Sequence, residues 1–265
     1  NSSGTVDIAQ NAVIEAIGQG GVSEGLPSQG GAGTGGFARM FAQNGGAVTV
    51  QGNAGLGAGG VSARLLGGAD TVVAAATGGE ATLSTGDFDP IVGGGTVTIN
   101  GNVTAQAEGR GGNIDSSGGG TGGAGTGGLP AVTAFAGQID IAGSTLLSAD
   151  GDGGLGQAGG AGQGGSAGIT AFAGTVNLTS PNISAIGTGG NASLEFGGTG
   201  GAGTGGTTYI EARQTASAGG TIAGGDALLD ASGVGGLGGA GDGSAIAAGA
   251  GGSGSGGLFS GQTGS

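Results

Sequence analysis

The sequence predicts an all-β chain: a right-handed parallel β-helix (β-solenoid) of about six irregular coils, with glycine-rich insertions at one corner. Two observations carry this. The heptapeptide Gly122-Gly123-Ala124-Gly125-Thr126-Gly127-Gly128 returns at 159–165, at 200–206 and, altered at its end, at 238–244, and an earlier copy stands at 30–36. The starts at 122, 159, 200 and 238 are 37, 41 and 38 residues apart, so one supersecondary unit is repeated, and such units are stable only when stacked. Between the glycine runs, Val, Ile, Leu and Ala stand in short alternating clusters, the period-2 mark of half-buried strands.

The first element of each repeat is a triplet: Val6-Asp7-Ile8, Val48-Thr49-Val50, Val97-Thr98-Ile99, Ile139-Asp140-Ile141, Val176-Asn177-Leu178 and the weaker Ile222-Ala223-Gly224. Strand geometry puts the outer two residues on the core face and the middle one in solvent. Seven or eight residues on comes an apolar-x-Ala-x-Gly piece, as in Ile14 to Gly18, Leu147 to Gly151, Ile183 to Gly187 and Leu229 to Gly233, with Ala105 to Gly109 lacking the large residue. Its Ala marks core space for one methyl, and its Gly a backbone needing positive φ or close approach. The third element follows the glycine run: Val132-Thr133-Ala134-Phe135-Ala136, Ile169-Thr170-Ala171-Phe172-Ala173, Ile210-Glu211-Ala212-Arg213 and, earlier, Met40-Phe41-Ala42. Two copies rejoin the first strand almost at once, through Gly137 and Gly174. Strand, corner, strand, glycine excursion, strand, corner is one coil, and stacking supplies each strand's hydrogen-bond partners.

The whole of 1–265 reads as a single array. Residues 52–95 read as a degenerate coil whose insertion has been replaced, because no copy of the heptapeptide starts between 30 and 122. Neither end carries a polar cap, so the expectation is a segment of a longer protein or a unit that stacks end to end.

Glycine contributes 79 of 265 residues, with four prolines and no strict three-residue period, which excludes collagen. The apolar clusters separate the chain from disordered glycine-rich linkers. Four Arg face 17 carboxylates, a formal charge of −13 that repels nucleic acid and anionic lipid. There is no His and no Cys, so the commonest general base, the thiol nucleophile and the usual zinc ligands are missing. No apolar run is long enough to insert this segment in a membrane. The glycine runs lack the Lys or helix start of a phosphate cradle.

Asp150-Gly151-Asp152-Gly153 and Asp87-Phe88-Asp89 put carboxylates two apart, as calcium loops do, and Gly67-Gly68-Ala69-Asp70-Thr71-Val72 is similar to the glycine-aspartate nonapeptide of calcium-bound β-rolls. The regular Asp period of calcium-bound β-rolls is absent, so these read as solvated turn residues and no cofactor is expected. Glycan-active β-helix enzymes need clustered carboxylates on one face. Here the outward first-strand ladder runs Asp7, Thr49, Thr98, Asp140, Asn177, Ala223, with its two aspartates apart, so no catalytic residue is expected. An ice-binding solenoid would show a uniform Thr ladder, which this one is not. Five Asn-x-Ser/Thr sequons occur, at Asn1, Asn102, Asn177, Asn182 and Asn191, and nothing further in the sequence supports glycosylation there.

Thr96-Val97-Thr98-Ile99, followed by Ala-x-Gly and then by residues 119–128 (GGTGGAGTGG), resembles the glycine-rich β-strand-repeat regions of large bacterial exoproteins of the filamentous-haemagglutinin type, secreted by a two-partner pathway. The resemblance covers essentially the whole chain; that family's secretion domain, with its Asn-Pro-Asn motifs, is not among these residues. A lesser likeness is to mycobacterial glycine-alanine-rich repeat proteins. The first resemblance implies an adhesive or fibre-forming stalk, outside the cell or on a bacterial surface, that binds copies of itself end to end or laterally, or a host or cell-surface ligand.

One surface is expected to make lateral contacts. Alternation that buries Val132, Ala134, Ile169, Ala171, Ile210 and Ala212 turns Phe135, Phe172 and Arg213 outward on three successive repeats. Two rings and a guanidinium then stack, with the glycine runs ordered and extended beside them.

Overall fold

The computed structural model describes residues 4–21, 30–62, 71–72, 74–86, 93–114, 119–193, 197–214, 218–240, 252–255 and 258–263. Among them every regular element is a β-strand and every strand pairing is parallel. Six successive repeats each give one strand to each of three six-stranded parallel sheets and two elements to a ten-stranded one, and Thr71–Val72 pairs with Gly120–Thr121 in a small two-stranded sheet, an arrangement consistent with a β-solenoid.

The first elements (Thr5–Ile8, Ala47–Val50, Gly95–Ile99, residues 137–141 and 174–177, Thr221–Ala223) and the third elements (Phe37–Ala42, Glu80–Thr85, residues 129–136 and 166–173, Thr207–Ala212, Leu258–Thr263) form one ten-stranded sheet. The two kinds merge in the strands Leu129–Ile141 and Ser166–Asn177. At Gly137 the backbone takes φ of 108°, which a side chain resists, so the corner is turned without breaking the strand. A second, six-stranded sheet holds Ala12–Glu15, Ala54–Gly57, Val103–Gln106, Ser144–Ser148, Ser180–Ser184 and Leu228–Asp230.

The core lies between these two sheets. Val97, Ile99, Ile139, Val176, Val132, Ile169, Leu147 and Ile183 are wholly buried, while the middle residue Asp140 is only half-buried. Register pairs like with like: Val48, Val97, Ile139, Val176 and Ile222 are successive partners, as are Leu56, Ala105, Leu147, Ile183 and Leu229. Each repeat therefore buries its apolar face only against the repeats beside it. Val6, in the first strand of the first repeat, has a partner on one side only and is 53% exposed.

The described residues between 47 and 85 take their places in the stack. Ala54 to Gly57 pairs with Val103 to Gln106, and Glu80 to Thr85 with the third elements on both sides. Ala76-Thr77 stands where the neighbours have Gly33-Thr34 and Gly125-Thr126, so this repeat keeps the pattern with Ala for Gly. In the last repeat the partner of Gly203-Thr204 is Gly254-Ser255, so the in-register copy there is not the heptapeptide starting at 238.

The glycine-rich part is not a loop excursion. Its outgoing arm (Gly18–Gln19, Gly60–Val61, Gly109–Arg110, Gly151–Asp152, Gly187–Thr188, Gly233–Val234) and its returning arm (Gly33–Thr34, Ala76–Thr77, Gly125–Thr126, Gly162–Gln163, Gly203–Thr204, Gly254–Ser255) are two further six-stranded parallel sheets lying face to face. The closing Gly of the second element thus opens a strand instead of a turn, and close approach, not positive φ, is what it serves. A Cβ on Gly109 would sit 2.0 Å from the Thr126 carbonyl oxygen, and one on Gly125 2.1 Å from that of Asp152. Sheets normally stack about 10 Å apart with side chains between them; here backbone meets backbone.

Two sets of hydrogen bonds tie these layers. In every repeat from the first to the fifth, the last Gly of the run donates its N–H to the carbonyl of the Ala-x-Gly alanine: Gly36 to Ala16, Gly79 to Ala58, Gly128 to Ala107, Gly165 to Ala149 and Gly206 to Ala185, at 2.6–2.7 Å. Further out, amides alternate between layers along the stack axis, Gly123 to Gly112, Gly154 to Gly123, Gly160 to Gly154, Gly190 to Gly160, Gly201 to Gly190, Gly236 to Gly201 and Gly252 to Gly236, at 2.7–2.9 Å. The ordering entropy of glycine is offset by this continuous zipper, in which buried peptide groups find partners.

Asparagines staple one corner. Asn11 Oδ1 accepts the backbone N–H of Asn53, Asn53 that of Asn102, and Asn102 that of Ser144, at 2.8–2.9 Å. Asn113 and Asn191 do the same for Leu155 and Leu237 in the glycine layers.

Candidate contact face

The third elements turn alternate residues to the outside of the ten-stranded sheet, and register arranges these as rungs. One rung brings Phe135, Phe172 and Arg213 together, because Ala134, Ala171 and Ala212 are successive partners on the inner face. The two phenyl rings stack with centroids 5.0 Å apart and planes 7° from parallel, and the Arg213 guanidinium lies 5.3 Å from the Phe172 centroid. Both rings are half-buried and neither enters the core. Arg213 also pairs with Glu211 through both Nη2 and Nε, the latter at 2.7 Å, and Glu211 is nearly buried.

The alternation places a second set of groups on this face that the sequence reading did not single out: Phe37, Arg39 and Phe41 from the first repeat, Glu80, Thr82 and Ser84 from the second, Leu129, Ala131 and Thr133 from the third, and Tyr209 from the fifth. The signal was present in Phe37-Ala38-Arg39-Met40-Phe41-Ala42, where the same period-2 rule that faced Phe135 outward faces three residues outward with exposed and buried positions strictly alternating. Phe37, Phe41 and Leu129 are more than half exposed, so the open apolar surface is there, and the Phe135 rung is largely covered by its own stacking.

These residues enclose a trough of about 450 Å³. Its floor is small and hydroxylic, Thr82, Ser84, Ala131 and Thr133; Phe41 and Arg39 rise at one end and Tyr209 at the other, with Phe135 at the side. Tyr209 leans flat over Gly168, where a Cβ would fall 2.3–2.5 Å from ring atoms, so glycine there permits the ring's position. Burial and the nearby Glu211 carboxylate push the Tyr209 phenol above its ordinary range, opposed by Arg213. Arg39 pairs with Glu80 at 2.7 Å and lies over the Phe37 ring at 5.0 Å, while Thr82 donates to Glu80 at 2.9 Å.

No protein-family model, curated protein or solved structure matches this chain.

The two aspartates of the first-strand ladder do not meet, whereas Glu108, Asp150 and Asp152 lie near one another around Arg110. Asp7 and Asp140 share a ladder but are separated by Thr49 and Thr98, and Asp140 accepts from Asn177 at 2.7 Å and Gln138 at 2.6 Å. Asp150 accepts from Ser148, Ser184 and the Ile186 N–H. Burial is the main cause raising the Asp152 pKa, with Arg110 opposing it. Among the described residues no group of three carboxylates is placed to hold a metal ion. Asp87, Phe88, Asp89 and Asp70 lie outside the described residues.

Proposed function

We propose that the chain is a segment of a non-enzymatic structural protein, a right-handed parallel β-solenoid of six coils that serves as a fibre or adhesin stalk outside the cell or on a bacterial surface, like the glycine-rich repeat regions it resembles. One observation carries this reading: each of the three six-stranded sheets takes one strand from every repeat, and the ten-stranded sheet takes a first and a third element from each, all in parallel register, so adding repeats lengthens the body without changing its cross-section. The glycine zipper supports it, because bonds that alternate between two backbone layers stiffen a rod along its axis. Its partners are copies of itself, joined end to end or sideways through the face of Phe135, Phe172 and Arg213, or a host or cell-surface ligand. It uses no cofactor. Electron microscopy of the purified chain tests this: six repeats give a particle about 30 Å long, or filaments and bundles built from it. Bundles lost in Phe172→Glu support the sideways contact. Compact spherical particles, or cleavage of polysaccharide by the chain, would overturn the stalk reading.

Ice binding has one specific observation in its favour. The outer face of the returning glycine layer carries Thr34, Thr77, Thr126, Gln163 and Thr204 in register, a far more uniform ladder than the outgoing layer's Gln19, Val61, Arg110, Asp152 and Thr188. Inhibition of ice recrystallisation that disappears in Thr126→Arg would favour this second reading; its absence in the wild-type chain ends it.

A further inference from the structure

The trough on the outer face of the ten-stranded sheet has the chemistry of a sugar site, and we infer that it binds a neutral oligosaccharide. This deepens the adhesive reading above and rests on it. Sugar rings offer a patch of C–H groups on one face and hydroxyls at the rim; a complementary site offers aromatic faces set apart by small polar groups. Phe41, more than half exposed, and Tyr209 stand at opposite ends of the trough on strands four spacings or about 19 Å apart along the stack, the Tyr209 ring leaning back over Gly168 by about one spacing, with Thr82, Ser84 and Thr133 between them. A linear glycan lying along the stack axis would meet a ring at each end and hydroxyls in between.

Charge selects the class of sugar. The lining contains one cation and one anion, Arg39 and Glu80, already paired at 2.7 Å, so it is neutral within a chain of charge −13. An anionic glycan meets the repulsion of the whole chain and finds no free cation in the trough. A neutral one is offered two fixed, oriented groups whose remaining donor and acceptor capacity suits vicinal hydroxyls. The site is also preorganised: its floor belongs to strands paired on both sides, and the Tyr209 ring is seated on Gly168, so little ordering is needed on binding.

Affinity electrophoresis of the chain through gels containing β-glucan, galactomannan, α-mannan or polygalacturonate tests the inference. Retention by at least one of the three neutral polymers, and not by polygalacturonate, is expected. Phe41→Ala should weaken that retention about tenfold, the scale of losing one anchoring ring. Thr133→Trp, which fills the trough from a strand position that tolerates aromatics, should abolish it while the circular dichroism stays unchanged. No retention by any neutral polymer, retention by polygalacturonate alone, or equal retention in wild type and both variants overturns the site. A chain that bundles in Phe172-dependent fashion but retains on no neutral polymer marks the face as a contact between copies and leaves the stalk reading standing. A chain retained by a neutral polymer in the trough-dependent manner but seen only as compact spheres keeps the site and removes the stalk.

Discussion

Placing one methyl group between the two glycine layers tests whether they meet as bare backbone. In Gly125→Ala the new Cβ would lie 2.1 Å from the Asp152 carbonyl oxygen and 2.4 Å from that of Gly109. Both oxygens belong to strands bonded on either side, so relief requires the layers to part by roughly 1 Å, beyond hydrogen-bond reach for the cross-layer bonds next to it. Those bonds are Gly123 N–H to the Gly112 carbonyl at 2.9 Å and Gly128 N–H to the Ala107 carbonyl at 2.6 Å. Leaving buried peptide groups unpaired costs about 1–3 kcal/mol each. Alanine also returns about 0.4–1 kcal/mol by restricting the unfolded chain. The net expectation is a loss of about 2–4 kcal/mol. Gly55→Ala is the control, since its Cβ would meet nothing nearer than 3.9 Å; there only the unfolded-chain effect remains, a gain of up to about 1 kcal/mol. Urea unfolding followed by circular dichroism reads both. Equal midpoints for the two variants, or a more stable Gly125→Ala, refute the packing of the layers.

Other expectations follow from the core and the corners. Ile139→Asp buries a charge without a partner and should cost several kcal/mol in the same assay, whereas Asp140→Asn on the outward face should cost under about 1 kcal/mol. The hydroxyls of Thr85, Thr145 and Thr208 are buried without a hydrogen-bond partner, so Thr145→Val should stabilise by about 1 kcal/mol. Asn102→Ala removes the acceptor of the Ser144 N–H at a solvent-exposed corner and should destabilise by about 0.5–1.5 kcal/mol, while Asn102→Asp, which keeps the acceptor, should lose less. Asp152 holds its proton more tightly folded than unfolded, so its contribution favours the fold below its unfolded pKa and is lost as pH rises through the raised folded value. Asp152→Asn should therefore flatten the fall in stability as pH rises above the ordinary carboxylate range.

The sequence made the strand register readable because hydrophobic burial and side-chain alternation act locally: Val97 and Ile99, or Ile139 and Ile141, declare their face within three residues. The Phe135, Phe172 and Arg213 rung was legible for the same reason, since equal offsets in successive repeats become neighbours once the repeats stack. The glycine layers were legible as ordered and extended, but not as paired sheets. A glycine has no side chain to alternate, so neither the two-residue strands nor the partner of each amide leaves a periodic mark. The repeat at 47–85 was obscured because Ala76 replaces a glycine of the motif, although register pairs it with Gly33 and Gly125. The trough could not be read from any one segment. It arises where small residues of the second and third repeats lie between larger ones of the first and fifth, a relation visible only across the stack. The asparagine staples were not legible, two of them, Asn102 and Asn191, reading only as sequons, because each acceptor serves an amide between 42 and 49 residues away.

In-register stacking of the repeats is tested most directly by a distance between two spin labels. The chain has no cysteine, so Thr34→Cys and Thr204→Cys in one molecule give unique attachment points on the outer face of the returning glycine layer. Thr34, Thr77, Thr126, Gln163 and Thr204 are successive partners, so the two sites are four strand spacings apart, about 19 Å, although 170 residues separate them in sequence. A narrow distribution centred near that separation, widened only by the label arms, is the predicted result. A broad distribution, or a centre beyond about 35 Å, contradicts the parallel stack on which every other inference depends.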